Sequence, residues 1–439
     1  MADRLLIRGG RVIDPAQDLD DVRDVLIEDG VIREVAPHIR APADRVIEAR
    51  GLVVAPGFID MHVHLREPGE EDKETIETGT RAAAAGGFTA VACMANTNPV
   101  NDTAAVTQWV LERARAVGVV RVYPIAAVTR GLQGQELTEM GELADAGAVA
   151  FSDDGRPIRS AQVLRCALEY SRITDRVVID HCEDPDLTQG GAMNEGYYSS
   201  LLGLPGMPPE AEAIIVARDI FLARLTEAPV HIAHVSTRAA VELVRWAKQK
   251  GLPVTAEATP HHFTLSDRAV YERPYDTNLK MNPPLRTEDD VAAVVEGLAD
   301  GTIDAIASDH APHRLDDKRV EFDSAAFGVI GLETAVALAL DRLVHTGRLS
   351  LRRMVELFTV GPARVLRLPT PTVAPGRPAD LTLIDPEQVW TYRVEASFSR
   401  SRNSPFDGWT FRGRAVRTIV GGRVVFEAPA QHAGGQERK

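Results

Sequence analysis

The chemistry of this chain is concentrated first in Gly57 to Gly69, GFIDMHVHLREPG, where His62 and His64 stand two apart after the apolar Phe58 and Ile59. Alternate side chains of a strand share one face, so both imidazoles point the same way. Two neutral imidazoles are half of a site for Zn²⁺ or another borderline divalent ion. Arg66 follows at the next alternate position and Pro68-Gly69 turns the chain, which places the pair at the mouth of a strand. A single histidine there is more often a satisfied core or surface residue than a ligand, so the reading depends on what else converges.

Further polar residues close later apolar runs: Asn96, then Asp153 and Asp154, then His181, His234, and finally Asp309, His310 and His313. Of the 12 histidines in the chain, His62, His64, His181 and His234 all fall at such ends. With the carboxylates they exceed the needs of one tetrahedral ion, so a two-metal cluster with a bridging carboxylate is expected. Such a cluster generates hydroxide near neutral pH and polarises a carbonyl, which implies hydrolysis, or its reverse, at an amide-like carbon. Asp309 suits the catalytic role of ligand and proton shuttle between nucleophile and leaving nitrogen; its plainer alternative is a helix N-cap.

These residues need a scaffold that gathers strand ends. Apolar runs at 58–65, 88–96, 121–129, 148–154, 177–184, 229–236, 253–260 and 305–313 alternate with helical runs such as ETIETGTRAAAA and AAVELVRWAKQK. That rhythm predicts an α/β protein whose residues 58–365 form a (β/α)₈ TIM barrel with its site at the C-terminal strand ends. A six-stranded doubly wound sheet is the alternative, but it gives no reason for polar residues at so many strand ends. Residues 1–57 and 366–427 are rich in short strands, with Asp29-Gly30 and Gly421-Gly422 as hairpin turns. Each end alone has too few strands to bury a core, so together they are expected to form one small β-sandwich. The polar 428–439 reads as a flexible tail.

A chain of 439 residues accommodates a barrel with such an appendage. Its net charge of −14 argues against nucleic acid as a partner. A small anionic substrate stays possible, because a local arginine and a metal dominate the field inside a cleft. Cys93, Cys166 and Cys182 are scattered and odd in number, which points to a reducing compartment. With no apolar run approaching ~18 residues and no signal-peptide core, the chain reads as soluble and cytoplasmic, without a membrane partner.

HVHLREPG at 62–69, MANTNP at 94–99, SDDG at 152–155, DHCED at 180–184, HIAHVST at 231–237, TPHH at 259–262, MNPPLR at 281–286 and SDHAPH at 308–313 together resemble the dihydroorotases of the amidohydrolase superfamily, the long class with a β-sandwich beside the barrel. The resemblance runs through roughly residues 4–427 and implies reversible cyclisation of N-carbamoyl-L-aspartate to L-dihydroorotate and water by metal-bound hydroxide, in pyrimidine biosynthesis. It implies two Zn²⁺ per subunit, one held by His62, His64 and Asp309 and one by His181 and His234. Asp154 rather than Asp153 would bridge them, because the family pattern places the ligand second in SDDG. Arg66, Asn96 and His313 match residues that grip the substrate carboxylate, Asn282 one that contacts the ring, and Phe327 and Gly328 backbone contacts. A homodimer, and association with aspartate transcarbamoylase, are further implications.

The chain departs from superfamily habit in two places. VAFSDDG offers no lysine to be carboxylated as a bridge, so an aspartate must serve. DSAAFGVIGLET lacks the expected proline before Phe327 and isoleucine after Gly328. The charged 316–321 reads as a lid segment. Rival readings are a hydantoinase or allantoinase, against which Arg66 argues, and a non-catalytic structural homologue, against which the complete ligand set argues.

Overall fold

The structure, a computed structural model, describes residues 3–429. The tail expected at 428–439 therefore lies, beyond residue 429, outside the described residues. Eight parallel strands form the central sheet: Phe58–Val63, Phe88–Cys93, Arg121–Ala126, Ala150–Phe151, Val177–Asp180, Val230–Ile232, Val254–Ala258 and Ala305–Ile306. Each lies within one of the apolar runs of the sequence. The sheet closes through a parallel bridge from Val63 to His310, with His64 N–H donating to His310 C=O at 2.9 Å. This is the (β/α)₈ barrel.

The strands are apolar on both faces because both are covered, inside by the barrel core and outside by helices. Phe58 and Phe88 begin the first two strands; Phe58 stacks on Phe358 with ring centroids 5.3 Å apart and Phe88 meets it edge-on at 5.7 Å, which fills the floor opposite the site. The outer helices start where the sequence supplies caps. Thr75 and Thr287 form capping boxes with Thr78 and Asp290, and Ser160 and Thr237 accept from Val163 N and Ala240 N. Glycine is indispensable at Gly69, where φ is +95° and a Cβ would lie 1.8 Å from Asn98 O. That close approach seats the HLREPG turn on the NTNP loop.

Both chain ends build one further sheet. Arg4–Asp14 pairs with Leu19–Glu28 on one side and with Arg45–Glu48 and Val53–Pro56 on the other; Val53–Pro56 then pairs with Leu381–Thr391, which continues to Thr410–Val420 and Arg423–Glu427. The strands of the expected sandwich are thus joined in one hydrogen-bonded sheet. Its first strand shifts register at Gly9-Gly10, and it has its own core of Ile7, Val25, Ile27, Val54, Leu381 and Ile419. Both foreseen hairpins form: Asp29-Gly30 and Gly421-Gly422 all have positive φ, the geometry that matches strand twist in a two-residue turn. Among the described residues no helix is long and apolar enough to cross a membrane.

Candidate active site

The barrel's C-terminal strand ends bring together His62, His64, Asp154, His181, His234 and Asp309, all buried. Asp154 is the hub. Its Oδ1 lies 3.4 Å from His62 Nε2, 3.6 Å from His181 Nδ1 and 3.5 Å from His234 Nε2, and its Oδ2 lies 3.4 Å from His64 Nε2. Asp309 Oδ1 sits 3.1 Å from His64 Nε2 and 3.6 Å from His62 Nε2. Asp153 faces elsewhere. Its Oδ1 accepts from Val128 N at 2.8 Å and Thr129 N at 3.0 Å, while Oδ2 takes the Thr129 hydroxyl.

Outer acceptors fix the imidazoles. His62 Nδ1 donates to Glu257 at 2.6 Å, His64 Nδ1 to Asn96 Oδ1 at 2.9 Å, and His181 Nε2 to Glu183 Oε2 at 3.0 Å. In each ring the other nitrogen is thereby turned toward Asp154 or Asp309, as metal-ligating histidines require. His62 Nε2 and Asp154 Oδ1 are buried with no hydrogen-bond partner among the described residues. Buried polar atoms are rarely left so, and an ion among them would satisfy both. The ligand atoms of His62, His64 and Asp309, and those of His62, Asp154 and His234, lie within 4.8 Å of one another in each set. The residues fit a divalent metal centre.

The electrostatics are those of anions crowded by imidazoles. Burial works against the charge of Asp154, yet His62, His181 and His234 hold its carboxyl well below the ordinary range. Asp309 is lowered in the same way, against burial, by His64 and His62. Burial likewise disfavours imidazolium, but the surrounding carboxylates prevail: His181 is raised to about 10 through Asp154 and Glu183, and His62 well above its ordinary value through Asp154 and Glu257. Arg66, His234 and Asp309 all adopt positive φ, at 60°, 28° and 46°. Non-glycine residues hold that conformation at a cost of about 1–3 kcal/mol when their surroundings enforce it, and such residues cluster at functional sites.

Arg66 is buried beside this cluster. Its Nε donates to Pro312 O at 3.2 Å and its Nη1 is 3.9 Å from Glu70 Oε2, too long for a hydrogen bond. His313 donates from Nε2 to Phe327 O at 2.7 Å; burial, then the neighbouring charges of Arg66 and Lys318, lower its pKa to about 3. Gly328 N donates to Lys280 O at 3.0 Å and Gly328 O accepts from Asn403 at 3.1 Å, so these backbone groups are engaged within the protein. Asn282 donates to Glu183 Oε2 at 2.6 Å beside His181. His310 turns away from the cluster to Glu74, at 3.1 Å. In the charged 316–321 run, Lys318 is buried and its amine donates to Ala326 O at 2.7 Å, which ties the segment to the Phe327 loop.

Sequence reasoning missed Glu257, Glu183, Glu74 and Asn403. Glu257 carried a signal, since a carboxylate in the apolar strand VTAEA needs a buried partner. Asn403 carried none. It comes from the segment between strands of the terminal sheet, yet accepts from His313 N at 3.1 Å and donates to Ala311 O at 2.9 Å.

The family model for Dihydro-orotase-like proteins matches residues 51–240. The chain is 52% identical over 424 residues to the dihydroorotase of Geobacter metallireducens, covering 96% of this chain and 99% of that protein. With the dihydroorotase of Solibacter usitatus it shares 53% over 428 residues, 98% of this chain and 99% of the other. Among solved structures, the L-hydantoinase (dihydropyrimidinase) of Arthrobacter aurescens superposes with a TM-score of 0.88 at 26% identity, over 98% of this chain and 97% of that one. Near-complete coverage at these identities, on a barrel whose strand ends gather the same histidines and aspartates that the motifs carry, places the chain in the dihydroorotase family.

Proposed function

We propose that this protein is a dihydroorotase, interconverting N-carbamoyl-L-aspartate and L-dihydroorotate with water in pyrimidine biosynthesis. One observation favours this over a hydantoinase-like activity, despite the close fold: Arg66, a buried guanidinium at the mouth of the histidine cluster, has no carboxylate within hydrogen-bond reach among the described residues. Burial depresses its pKa against the opposing charges of Glu70, Asp309, Asp154 and Glu74, none of which it hydrogen-bonds, so its donors are left for an anion that enters the site. Its planar fork matches the substrate carboxylate, a group that hydantoin and allantoin do not place there.

His62, His64 and Asp309 would hold one divalent ion and His181 and His234 a second, with Asp154 between them. Zn²⁺ suits this imidazole-rich set and supplies Lewis acidity and a water of lowered pKa. In the hydrolytic direction Asp309, held ionised, accepts the proton of the attacking water and passes it to the departing ring nitrogen; cyclisation runs the same transfer backwards. Arg66 orients the substrate through its carboxylate, with Asn96 and His313 at the same rim, and Asn282 stands where the ring would lie. Glu257 and Glu183 keep the imidazoles in the required tautomer. Phe327 and Gly328 shape the rim through the bonds they make to His313, Lys280 and Asn403.

The test is metal content of the purified protein beside turnover of carbamoyl aspartate and dihydroorotate. Prolonged chelation should abolish turnover and Zn²⁺ restore it. Full turnover in metal-free protein would end the reading, and turnover confined to hydantoins would favour the rival. Activity appearing only with aspartate transcarbamoylase present would mean that a partner completes the site.

A further inference from the structure

Between the first barrel helix, Ile76–Gly86, and the strands Leu381–Thr391, Thr410–Val420 and Arg423–Glu427 of the terminal sheet lies a cavity of about 610 Å³. Ligand pockets are commonly ~300–1,000 Å³ and mostly apolar, with a few fixed polar groups. This one shares no lining residue with the cluster at the strand ends. Its walls include Trp390, Tyr392, Phe398 and Phe426, a concentration of rings in a chain that is only 5% aromatic. One charged group is left over inside it. The guanidinium carbon of Arg414 lies 4.2 Å from the centroid of the Trp390 ring, and its Nε is buried without a hydrogen-bond partner among the described residues. Burial lowers the Arg414 pKa, and the charge of Glu333 restores only part of the loss. The other charges of the walls are mostly engaged. Glu333 accepts from the Ser397 hydroxyl at 2.5 Å and from Phe398 N at 2.8 Å, Glu427 pairs with Arg417, and Arg81 pairs with Glu77 at 2.7 Å.

We propose that this cavity is a binding site for a small organic anion with an aromatic body, its anionic group on Arg414 and its ring against the aromatic walls. A buried donor without an acceptor is unfavourable until something supplies one, and a guanidinium stacked on an indole keeps its edge donors free for an oxyanion. The geometry is formed in advance. Trp390 Nε1 donates to Gly413 O at 3.1 Å, which holds the indole beneath Arg414, and the bonds to Glu333 fix the backbone that carries Phe398. A bare inorganic anion would leave the rings unmatched, and a neutral arene would leave Arg414 unpaired. An anion joined to an aromatic body answers both, and binding to a rigid, prepared site loses little to ordering. The inference does not depend on the activity proposed above.

The probe is anilinonaphthalene sulfonate, an aromatic anion whose fluorescence rises on leaving water, set beside phenylnaphthylamine, which has the same rings and no sulfonate. Fluorescence and calorimetric titrations of the full-length protein measure both. One saturable site should take the sulfonate at least ~10-fold more tightly than the neutral compound, the margin of a charge-assisted contact. Arg414→Gln should erase that preference, weakening the sulfonate about 10-fold and leaving phenylnaphthylamine within a few-fold. Phe398→Glu should weaken both compounds, since it removes a ring from the wall and puts a carboxylate in its place. Phe398 is 45% exposed, so this second variant keeps its fold, as circular dichroism will show, even if Arg414→Gln folds poorly. A parent with no saturable site overturns the proposal. So does equal affinity for the two compounds, or sulfonate binding indifferent to both variants, which would assign the probe to another apolar patch.

Discussion

Two adjacent aspartates in SDDG show how much a single position decides. Asp154 faces four imidazoles, whereas Asp153 binds the backbone of Val128 and Thr129. Asp154→Asn should therefore lower metal content and turnover while leaving the apoprotein folded. Asp153→Asn should keep the metal and lose about 1–3 kcal/mol of stability, because an amide nitrogen now faces backbone donors. Metal analysis and thermal melts of both variants check this; reversed phenotypes would exchange the two roles. An aspartate bridge is already an anion, so added or stripped bicarbonate should change neither quantity. Asp309→Asn keeps size but removes the proposed base, and turnover should fall at least ~100-fold with metal partly retained. A variant within a few-fold of the parent would reduce Asp309 to a structural role. For Arg66→Ala the transition state for dihydroorotate should lose about 2–5 kcal/mol, and neutral dihydrouracil far less. Equal losses on both substrates would make Arg66 structural.

At the scale of strands and loops, each histidine works because a second element holds it. Glu257, on Val254–Ala258, reaches across to His62 on the first strand; burial opposes its charge, but His62 and His231 bring its pKa down to about 2. Glu257→Gln should weaken metal binding about 10–100-fold, the usual consequence of removing an outer carboxylate, as read by competition against a chelator. Unchanged affinity would mean that packing alone orients His62. The strands themselves were legible from sequence because their alternation with amphipathic helices and their turn residues are local properties, and His62, His64, His181 and His234 were legible because they share strand ends. Glu183 and Glu74 were not, since what distinguishes them from surface acids is the buried partner each meets: His181 for one, His310 and Ser399 for the other. The loop 397–403 was opaque for the same reason on a longer scale, its partners lying on barrel segments remote in sequence.

For the whole molecule, the cluster couples metal, protons and stability. The folded pKa of His181 is about 10 against an ordinary 6.5, and that of His62 is also raised, so in metal-free protein their contribution is full below about pH 6.5 and is lost as pH climbs through about 10. Asp154 and Asp309 are depressed from 3.8, so theirs is present above that pH and lost on acidification. Metal binding needs the imidazoles deprotonated, and its stabilising effect must therefore grow with pH. The gap in melting temperature between metal-loaded and chelated protein should widen from pH 5 to pH 9, with proton release on loading near neutrality. A constant gap, with no protons released, would show that these imidazoles are already neutral. The contact of Asn403 with His313 and Gly328 has a different consequence, for the order in which the protein comes into being. A ribosome delivers His62 through Asp309 well before residue 403, so a growing chain holds every proposed metal ligand while the loop of His313 and Gly328 is still untied. On the proposed ligand assignment, capture of metal can precede completion of the pocket during synthesis. The terminal sheet is consequently no exchangeable module: the segment between Leu381–Thr391 and Thr410–Val420 lies against His313 and Gly328, and grafting the barrel onto another scaffold would have to carry that segment along.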